Sequence, residues 1–315
     1  MAIVVDESNF ARAETDRMFA GLLRTAGGLN RWTHNRGLTP IDQQTVIRMN
    51  RDTLYSLAVV DVSQGATVTV PDAGDRYLSV MVVSEDHYID RVLHDPGTYE
   101  LTEAELGTPY VVLAARVLAN AEDPADLAEV HRIQDGLALS AVSATPFVMP
   151  DYDEASFTAL REQLLAEART GVLADASKAF GSKADVDPHV HLVGTAAGWG
   201  GLPAREAFYL VREPKLPVAA YEIRVADVPV DAFWSVTVYN PEGFLEPNDL
   251  GVYSINSVMG DREDDGSIVV RLGGDPALPN CLPLVEGWNY TVRLYGPRPQ
   301  ILDGSWSFPE PVAVG

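Results

Sequence analysis

The chain has 315 residues, 46% of them hydrophobic and 22% charged, the proportions of an ordinary globular protein with room for a normal core and up to two domains. Its 23 Lys plus Arg stand against 45 Asp plus Glu, a formal net charge of −22, which argues against nucleic acid and anionic membrane surfaces as partners because both require clustered cations. A single cysteine, Cys281, excludes an internal disulfide and a Cys-based zinc cluster.

The N-terminal stretch MAIVVDESNFARAETD has a short apolar run followed by acids, unlike a secretory leader. No run reaches the ~18–20 apolar residues that span a bilayer. The expected location is cytoplasmic, or periplasmic or secreted if the sequence is a mature fragment whose leader was removed. Residues 6–26 read as a helix, with Phe10, Met18, Phe19, Leu22 and Leu23 at helical spacing and Gly27-Gly28 as its stop. From residue 53 short runs rich in Val, Tyr and Thr follow (TLYSLAVVDV, ATVTVPD, RYLSVMVVSED, PYVVLAARVLA), separated by turn clusters such as DAGD and DPGT. TLYSLAVVDV is apolar on both alternating faces, which predicts a covered central strand.

Helices return in the middle. Asp123 before Pro124 is a cap and first-turn signal for PADLAEVHRIQDGLAL, and DYDEASFTALREQLLAEARTG is amphipathic with Gly171 as its stop. After residue 205 strands dominate again, from AFYLV to NYTVRLYG, and the Gly-rich GTAAGWGGLP at 194–203 reads as the crossover. This order predicts an α+β, mostly antiparallel protein: two β-sandwich or jelly-roll-like layers with a helical insert between them. The expected division is 1–120 for an N-terminal β domain with a leading helix, 121–200 for the helical insert and crossover, and 201–315 for a C-terminal β-sandwich. Edges of such layers argue for a homo-oligomer.

Nucleophile-elbow, Walker, dinucleotide-loop and HExxH signatures are all missing from the sequence. DREDDGS begins like a calcium loop, but its twelfth position is Leu272, so Asp265-Gly266 reads as a hairpin turn. His189 and His191 would share a side if DPHVHLVG were a strand. A third metal ligand is not evident among His87, His94 and Glu85, so one structural and one exposed histidine is the favoured reading and no metal is expected. Cys281, between prolines, reads as a buried inert thiol. Polar and aromatic clusters at strand ends are the candidate cleft: Arg51, Asp52 and Tyr55 in NRDTLYS, His87 in EDHYIDR, Tyr239 and Asn240 closing FWSVTVYN, and Trp288, Asn289 and Arg293 in EGWNYTVRLY. Arg51 and Asp52, a charged pair entering a covered strand, are expected to satisfy each other.

Six segments (AETDRMF, PIDQQTVIRMNRDTLYS, HLVGTAAGWGG, VPVDAFWSVTVYN, PNCLPLVEGWNYTVRLYGPRPQIL and DGSWSFPEP) resemble, in order, the paired DUF1254/DUF1214 family, the first two its N-terminal part and the rest its C-terminal part. The resemblance covers nearly the whole chain. It implies a β-sandwich or jelly-roll arrangement with a helical insert, no known structural metal, and a hydrolytic or small-molecule role. It also marks His191 as matching the family pattern, with His189 and Val190 departing from it. Two functions stand as expectations. One is a cofactor-independent hydrolase or lyase acting on a small organic substrate in an inter-domain cleft, with Arg51 polarising the substrate, Asp52 orienting Arg51, and Tyr55 and His87 moving protons. The other is a non-catalytic small-molecule or carbohydrate binding or assembly protein gripping its ligand with Trp199, Trp234, Tyr239, Asn240 and Trp288.

Overall fold

The structure, a computed structural model, describes residues 2–44, 46–173 and 176–314. It is α+β with mostly antiparallel sheets, and it divides into two compact units: residues 1–36 with 54–204, and residues 37–53 with 205–315. None of its described helices is long and apolar enough to cross a membrane.

The N-terminal unit begins with helix α1 (Phe10–Ala26). It starts later than its apolar spacing predicts because Ser8 donates from its backbone and hydroxyl to Asp6 Oδ1, forming a local turn instead. It ends where predicted, on Gly27 at φ 67°. Its main sheet has the order β1 (Thr33–His34), β2 (Thr53–Asp61), β7 (Tyr110–Leu118), β4 (Leu78–Ser84), β5 (Arg91–Leu93). TLYSLAVVDV is thus an interior strand, as its two apolar faces require. A second sheet orders β6 (Gly97–Leu101), β3 (Ala66–Val70) and β8 (Ala138–Ala141), with the short helix α2 (Glu103–Leu106) after β6.

Helix α3 (Pro124–Asp135) starts on the predicted cap, Asp123 accepting from the Ala125 amide. It stops at Gly136, earlier than predicted, and the residues assigned to its end form β8 instead. Asp153 caps α4 (Glu154–Glu167) through the Ser156 amide, and Asp187 caps α5 (Pro188–Gly198) through the amides of His189 and Val190. Phe10 and Ala13 of α1, Phe157 and Leu164 of α4, and Val193 and Ala196 of α5 form one apolar cluster, so these three helices bury a common seam. Because α5 is helical, His189 and His191 lie on different sides of it rather than on one face of a strand. His189 is exposed and pairs with Glu167 at 2.9 Å, while His191 is buried.

The C-terminal unit is a two-sheet sandwich. One sheet orders β12 (Ser254–Asn256), β11 (Trp234–Tyr239), β15 (Asn289–Tyr295) and β9 (Ala207–Arg212). The other orders β14 (Cys281–Leu282), β13 (Ile268–Leu272), β10 (Tyr221–Val225) and β16 (Val312–Ala313), with α6 (Pro299–Leu302) near the end of the chain. Alternate residues from both sheets fill the space between them, including Trp234, Val236 and Val238 of β11, Tyr290, Val292 and Leu294 of β15, and Ile268, Val270 and Leu272 of β13. Asp265-Gly266 does form a turn, closed by Ser267 on Asp265, but it is not a hairpin: β12 and β13 belong to opposite sheets. Cys281 is buried, as read.

One glycine is fixed by close approach. Gly273, at φ 67°, follows β13 and donates to Leu282 O, and a Cβ there would sit 2.5 Å from Ala219 O. Gly107 has a similar φ of 75° and open space around it. Gly107→Ala is expected to cost about 1 kcal/mol, the left-handed penalty alone. Gly273→Ala should cost about 2–4 kcal/mol, since backbone must also move. Urea unfolding of the two variants checks the difference.

Candidate functional site

The motif NRDTLYS divides between the units. Arg51, Asp52 and Thr53 belong to the C-terminal unit, and Leu54, Tyr55 and Ser56 to the N-terminal one. In the C-terminal unit, the residues of β11, β12 and β15 that alternate with the core residues point away from the sandwich, and they are polar: Ser235, Thr237, Tyr239, Ser254, Asn256 and Arg293. Residues 48–52 are fastened to this face. Asp52, 1% exposed, accepts from Ser235 Oγ at 2.6 Å and Ser254 Oγ at 3.1 Å. Arg293 donates to Thr237 Oγ1 at 2.8 Å, to Tyr239 Oη at 2.7 Å and to Arg48 O at 2.7 Å, and Tyr239 donates onward to Met49 O at 2.9 Å.

Burial pushes the Asp52 carboxyl up, and Arg293, the serine hydroxyls and Asn256 act against that rise. Burial would likewise lower Arg293, but Tyr239, Tyr295 and Asp52 outweigh it and hold it above its ordinary value. The charge set against Asp52 is therefore Arg293. Arg51 donates to Thr39 O at 2.9 Å and lies over the Tyr253 ring at 5.3 Å. This corrects the expected mutual Arg51–Asp52 pair in its main partner.

The predicted aromatic grip is dispersed. Trp234 and Trp288 are 4% and 2% exposed inside the inter-sheet core, where they cannot present a ligand surface. Asn240 organises a turn, accepting from the Phe244 amide and donating to Glu246. Tyr239 lines a shallow depression of about 20 Å³ with Glu246, Asn248 and Tyr253.

In the N-terminal unit Tyr55 packs its ring under Arg116, 5.2 Å away. His87 and Trp199 do come together there, stacked at 5.4 Å, with His191 on the other side of His87 at 5.3 Å and Tyr88 beyond it. Both nitrogens of His87 are engaged. The Gly200 amide donates to Nε2 at 2.9 Å, so Nδ1 carries the proton and donates to Thr195 Oγ1 at 2.8 Å. Burial, then the neighbouring His191, holds its pKa well below the ordinary histidine value. A fully buried, neutral imidazole with no unused nitrogen is a packing and orienting group here, not a proton carrier.

What His87 orients is a turn. Its amide bonds Ser84 O, and the Ser84 amide bonds Tyr88 O, at a His87 φ of 63°. This turn follows the fully buried β4 and places Glu85 and Asp86 beside α1. There, Arg12 pairs with Asp86 at 2.8 Å, Glu14 is held by Arg17 and Arg161, and Trp199 Nε1 donates to Thr15. Asp16 Oδ2 accepts from the Tyr152 hydroxyl at 2.8 Å.

Two carboxyl oxygens in this cluster, Asp16 Oδ1 and Glu85 Oε2, are buried with no hydrogen-bond partner. Burial pushes the Glu85 carboxyl up to about 7, with Arg12 opposing and the charge of Asp16 adding. Burial also raises Asp16 to about 6, against the Tyr152 bond and Arg12. Two carboxyls titrating near neutrality can exchange protons with a ligand. Glu85 drew notice in the sequence as a weak metal candidate and as part of the EDHYIDR cluster, and Asp16 only as part of the AETDRMF segment. The signal was available: Glu14, Thr15 and Asp16 sit between the core positions Ala13 and Phe19.

Residues 29–92 match the family model for DUF1254, and residues 215–299 that for DUF1214, each described as a protein of unknown function. The chain is thus a DUF1254/DUF1214 domain-containing protein, the two segments following each other in that order. Glu85, Asp86 and His87 fall in the first segment and Arg293 in the second. Among solved structures it is similar to the VPA0106 protein from Vibrio parahaemolyticus, with a TM-score of 0.71 at 18% identity over 98% of both chains. A protein from Burkholderia cenocepacia follows with a TM-score of 0.53 at 14% identity, over 98% of this chain and 88% of that one. Both likenesses concern the fold alone. No match was found among curated proteins.

Removing the carboxylate of the C-terminal network strands a buried guanidinium. Asp52→Ala is expected to destabilise the chain by about 3–5 kcal/mol, and Arg51→Ala by only about 1 kcal/mol. Chemical denaturation followed by tryptophan fluorescence compares them.

Proposed function

We propose that the chain catalyses an acid–base reaction of hydrolase or lyase type on a small organic substrate, with Glu85 and Asp16 as its proton-transferring groups. The observation that carries this reading is the two buried carboxyl oxygens left without partners, on Asp16 and on Glu85, whose cost of ionisation the charge of Asp16 raises. A general acid–base works best with a pKa near the working pH, and Glu85 at about 7 meets that condition. Asp16, titrating lower, serves as the base when Glu85 serves as the acid. Tyr152 orients Asp16, and Arg12 supplies positive charge for a developing anion.

Arg12 and Asp86, the ion pair at the edge of this cluster, have side chains 35% and 45% exposed. An ion pair that open to water is worth about 0–1 kcal/mol, so parting it costs little.

The reading makes a linked prediction about stability. The Glu85 carboxyl is raised from an ordinary 4.5 to about 7, so the folded chain keeps a proton that the unfolded chain releases. Stability therefore falls as pH rises from about 4.5 to 7, and the full penalty stands above that. Glu85→Gln removes it: the variant should be more stable than the parent by about 2–3 kcal/mol at pH 8 and nearly equal to it at pH 4.5. Turnover on an ester, lactone and amide panel should drop by about 10²–10⁴-fold in the same variant. A variant that loses stability at pH 8, or keeps its turnover, contradicts the assignment.

A further inference from the structure

Strand β9 closes its sheet at one edge, and the middle of that edge carries nothing that would keep another strand away. It pairs with β15 without a bulge, from Ala207↔Tyr295 to Arg212↔Tyr290. Between Glu206 and Arg212 it reads AFYLV, free of lysine, proline and carboxylate. Phe208 and Leu210 face the inter-sheet core yet stay only partly buried, and Val211 on the opposite face is 44% exposed. Backbone alternation gives the edge a defined pattern. The Gly296 amide bonds Glu206 O, so 206 with 296 is a hydrogen-bonded pair, and so are 208 with 294 and 210 with 292. The N–H and C=O groups of Ala207, Tyr209 and Val211 therefore turn away from β15, towards any strand laid alongside.

The charges at the two ends of this edge complement each other when the strand is reversed. Arg205 and Glu206 precede the apolar run, and Arg212 and Glu213 follow it. We propose that β9 is a self-association edge: a second copy of the chain sets its own β9 antiparallel to this one, about a two-fold axis at Tyr209. Two four-stranded sheets then become one continuous sheet. In that register Tyr209 of each copy meets Tyr209 of the other, and Ala207 meets Val211, so the outward-turned groups of both strands face one another. Phe208 opposes Leu210. Glu206 opposes Arg212, and Arg205 opposes Glu213, each twice by symmetry. A slip of two residues either way, the smallest that keeps the outward groups in contact, sets Arg212 against Ala204 or Phe208 and makes none of these ion pairs. Parallel pairing in register sets like charge beside like. The pairs these groups now make are Arg212–Glu310 at 3.3 Å, Arg205–Glu206 at 3.5 Å and Arg48–Glu213 at 3.5 Å. All are long, with at least one partner open to water, so exchanging them costs little. Two chains of net charge −22 repel as whole molecules, and this edge brings cations against carboxylates where they touch. The interface uses the C-terminal unit alone and is independent of the acid–base reading.

Analytical ultracentrifugation of the full chain, across about two decades of micromolar concentration, tests the proposal. The parent should pass from one chain mass to twice that mass. Amide hydrogen exchange at Ala207, Tyr209 and Val211 should slow as concentration rises, while Phe208 and Leu210, whose amides bond β15, should not respond. Val211→Pro removes an outward N–H at an edge position that tolerates proline, so it should keep the fold and abolish the dimer. Arg212→Glu sets two carboxylates opposite each other at Glu206, and Glu206→Arg sets two guanidiniums opposite each other at Arg212. Each should weaken self-association at least about tenfold, and an equimolar mixture of the two variants should associate again, because each supplies the charge the other lacks. A parent that stays at one chain mass, a dimer that survives Val211→Pro, or charge variants that associate as the parent does would overturn the proposal. So would a mixture of the variants that stays monomeric, or a dimer that leaves exchange at Ala207, Tyr209 and Val211 unchanged, because its interface then lies on another face.

Discussion

Burying a carboxylate without a partner costs more than any one hydrogen bond returns, and that constraint decides how both units of this chain are built. In the C-terminal unit it produces order. Asp52 can lie beneath residues 48–52 only because β11 and β12 turn Ser235 and Ser254 outward and β15 sets Arg293 in the same layer. The sandwich needs alternate residues of these strands to be apolar on the inner face, which leaves the other face free to carry this polar set. A period of two thus yields a hydrophobic core on one side and a polar fastening surface on the other. The segment carrying Asp52 is held by side chains and by the backbone acceptors Arg48 O and Met49 O together, so it is fixed in register as well as in place.

In the N-terminal unit the same constraint is left unmet. Asp16 and Glu85 are buried to a similar degree, yet the arginines that could neutralise them are engaged by Glu14 and Asp86. The turn that delivers Glu85 also departs from low-energy geometry, with a non-glycine residue at positive φ. His87 keeps that conformation because its ring is locked from both nitrogens and stacked on both faces. Strain and unsatisfied charge in adjoining residues, with the surroundings rigid enough to hold them, is the pattern that accompanies preorganised sites.

Much of the fold was legible because it depends on local signals. Gly27, Asp123 with Pro124, and the doubly apolar TLYSLAVVDV each fix an element through chain-local chemistry. The readings that failed concern what the chain meets at a distance. DPHVHLVG has enough β-branched character to pass as a strand, but Asp187 and Pro188 open a helix, and its apolar residues pack against α1 and α4. Asp265-Gly266 reads as a hairpin in any window of ten residues, and only the sheet order shows its flanking strands to be in different layers. The site was least legible. Arg51 and Asp52 are neighbours in sequence, but the countercharge to Asp52 is Arg293, more than two hundred residues away. Asp16 sits inside a helix whose polar residues would ordinarily be solvated.

The case for function at Asp16 and Glu85 does not rest on burial alone, because the same unit contains a buried carboxylate treated in the structural way. Asp61 is fully buried, and it accepts from the Ser63 amide at 3.0 Å, the Ser63 hydroxyl at 2.6 Å and the Thr145 amide at 2.8 Å. Burial would raise its carboxyl, but these bonds outweigh it and hold it below the ordinary value. Asp61 therefore pins the end of β2 to the segment that follows β8, at no cost in ionisation. Donors of that kind are cheap for a chain to provide: one serine two residues on and one backbone amide suffice. That Asp61 has them, while Asp16 and Glu85 each keep an oxygen bare, means the fold can satisfy a buried carboxylate and at one place does not. An arrangement so easily improved for stability is what a site retained for chemistry looks like.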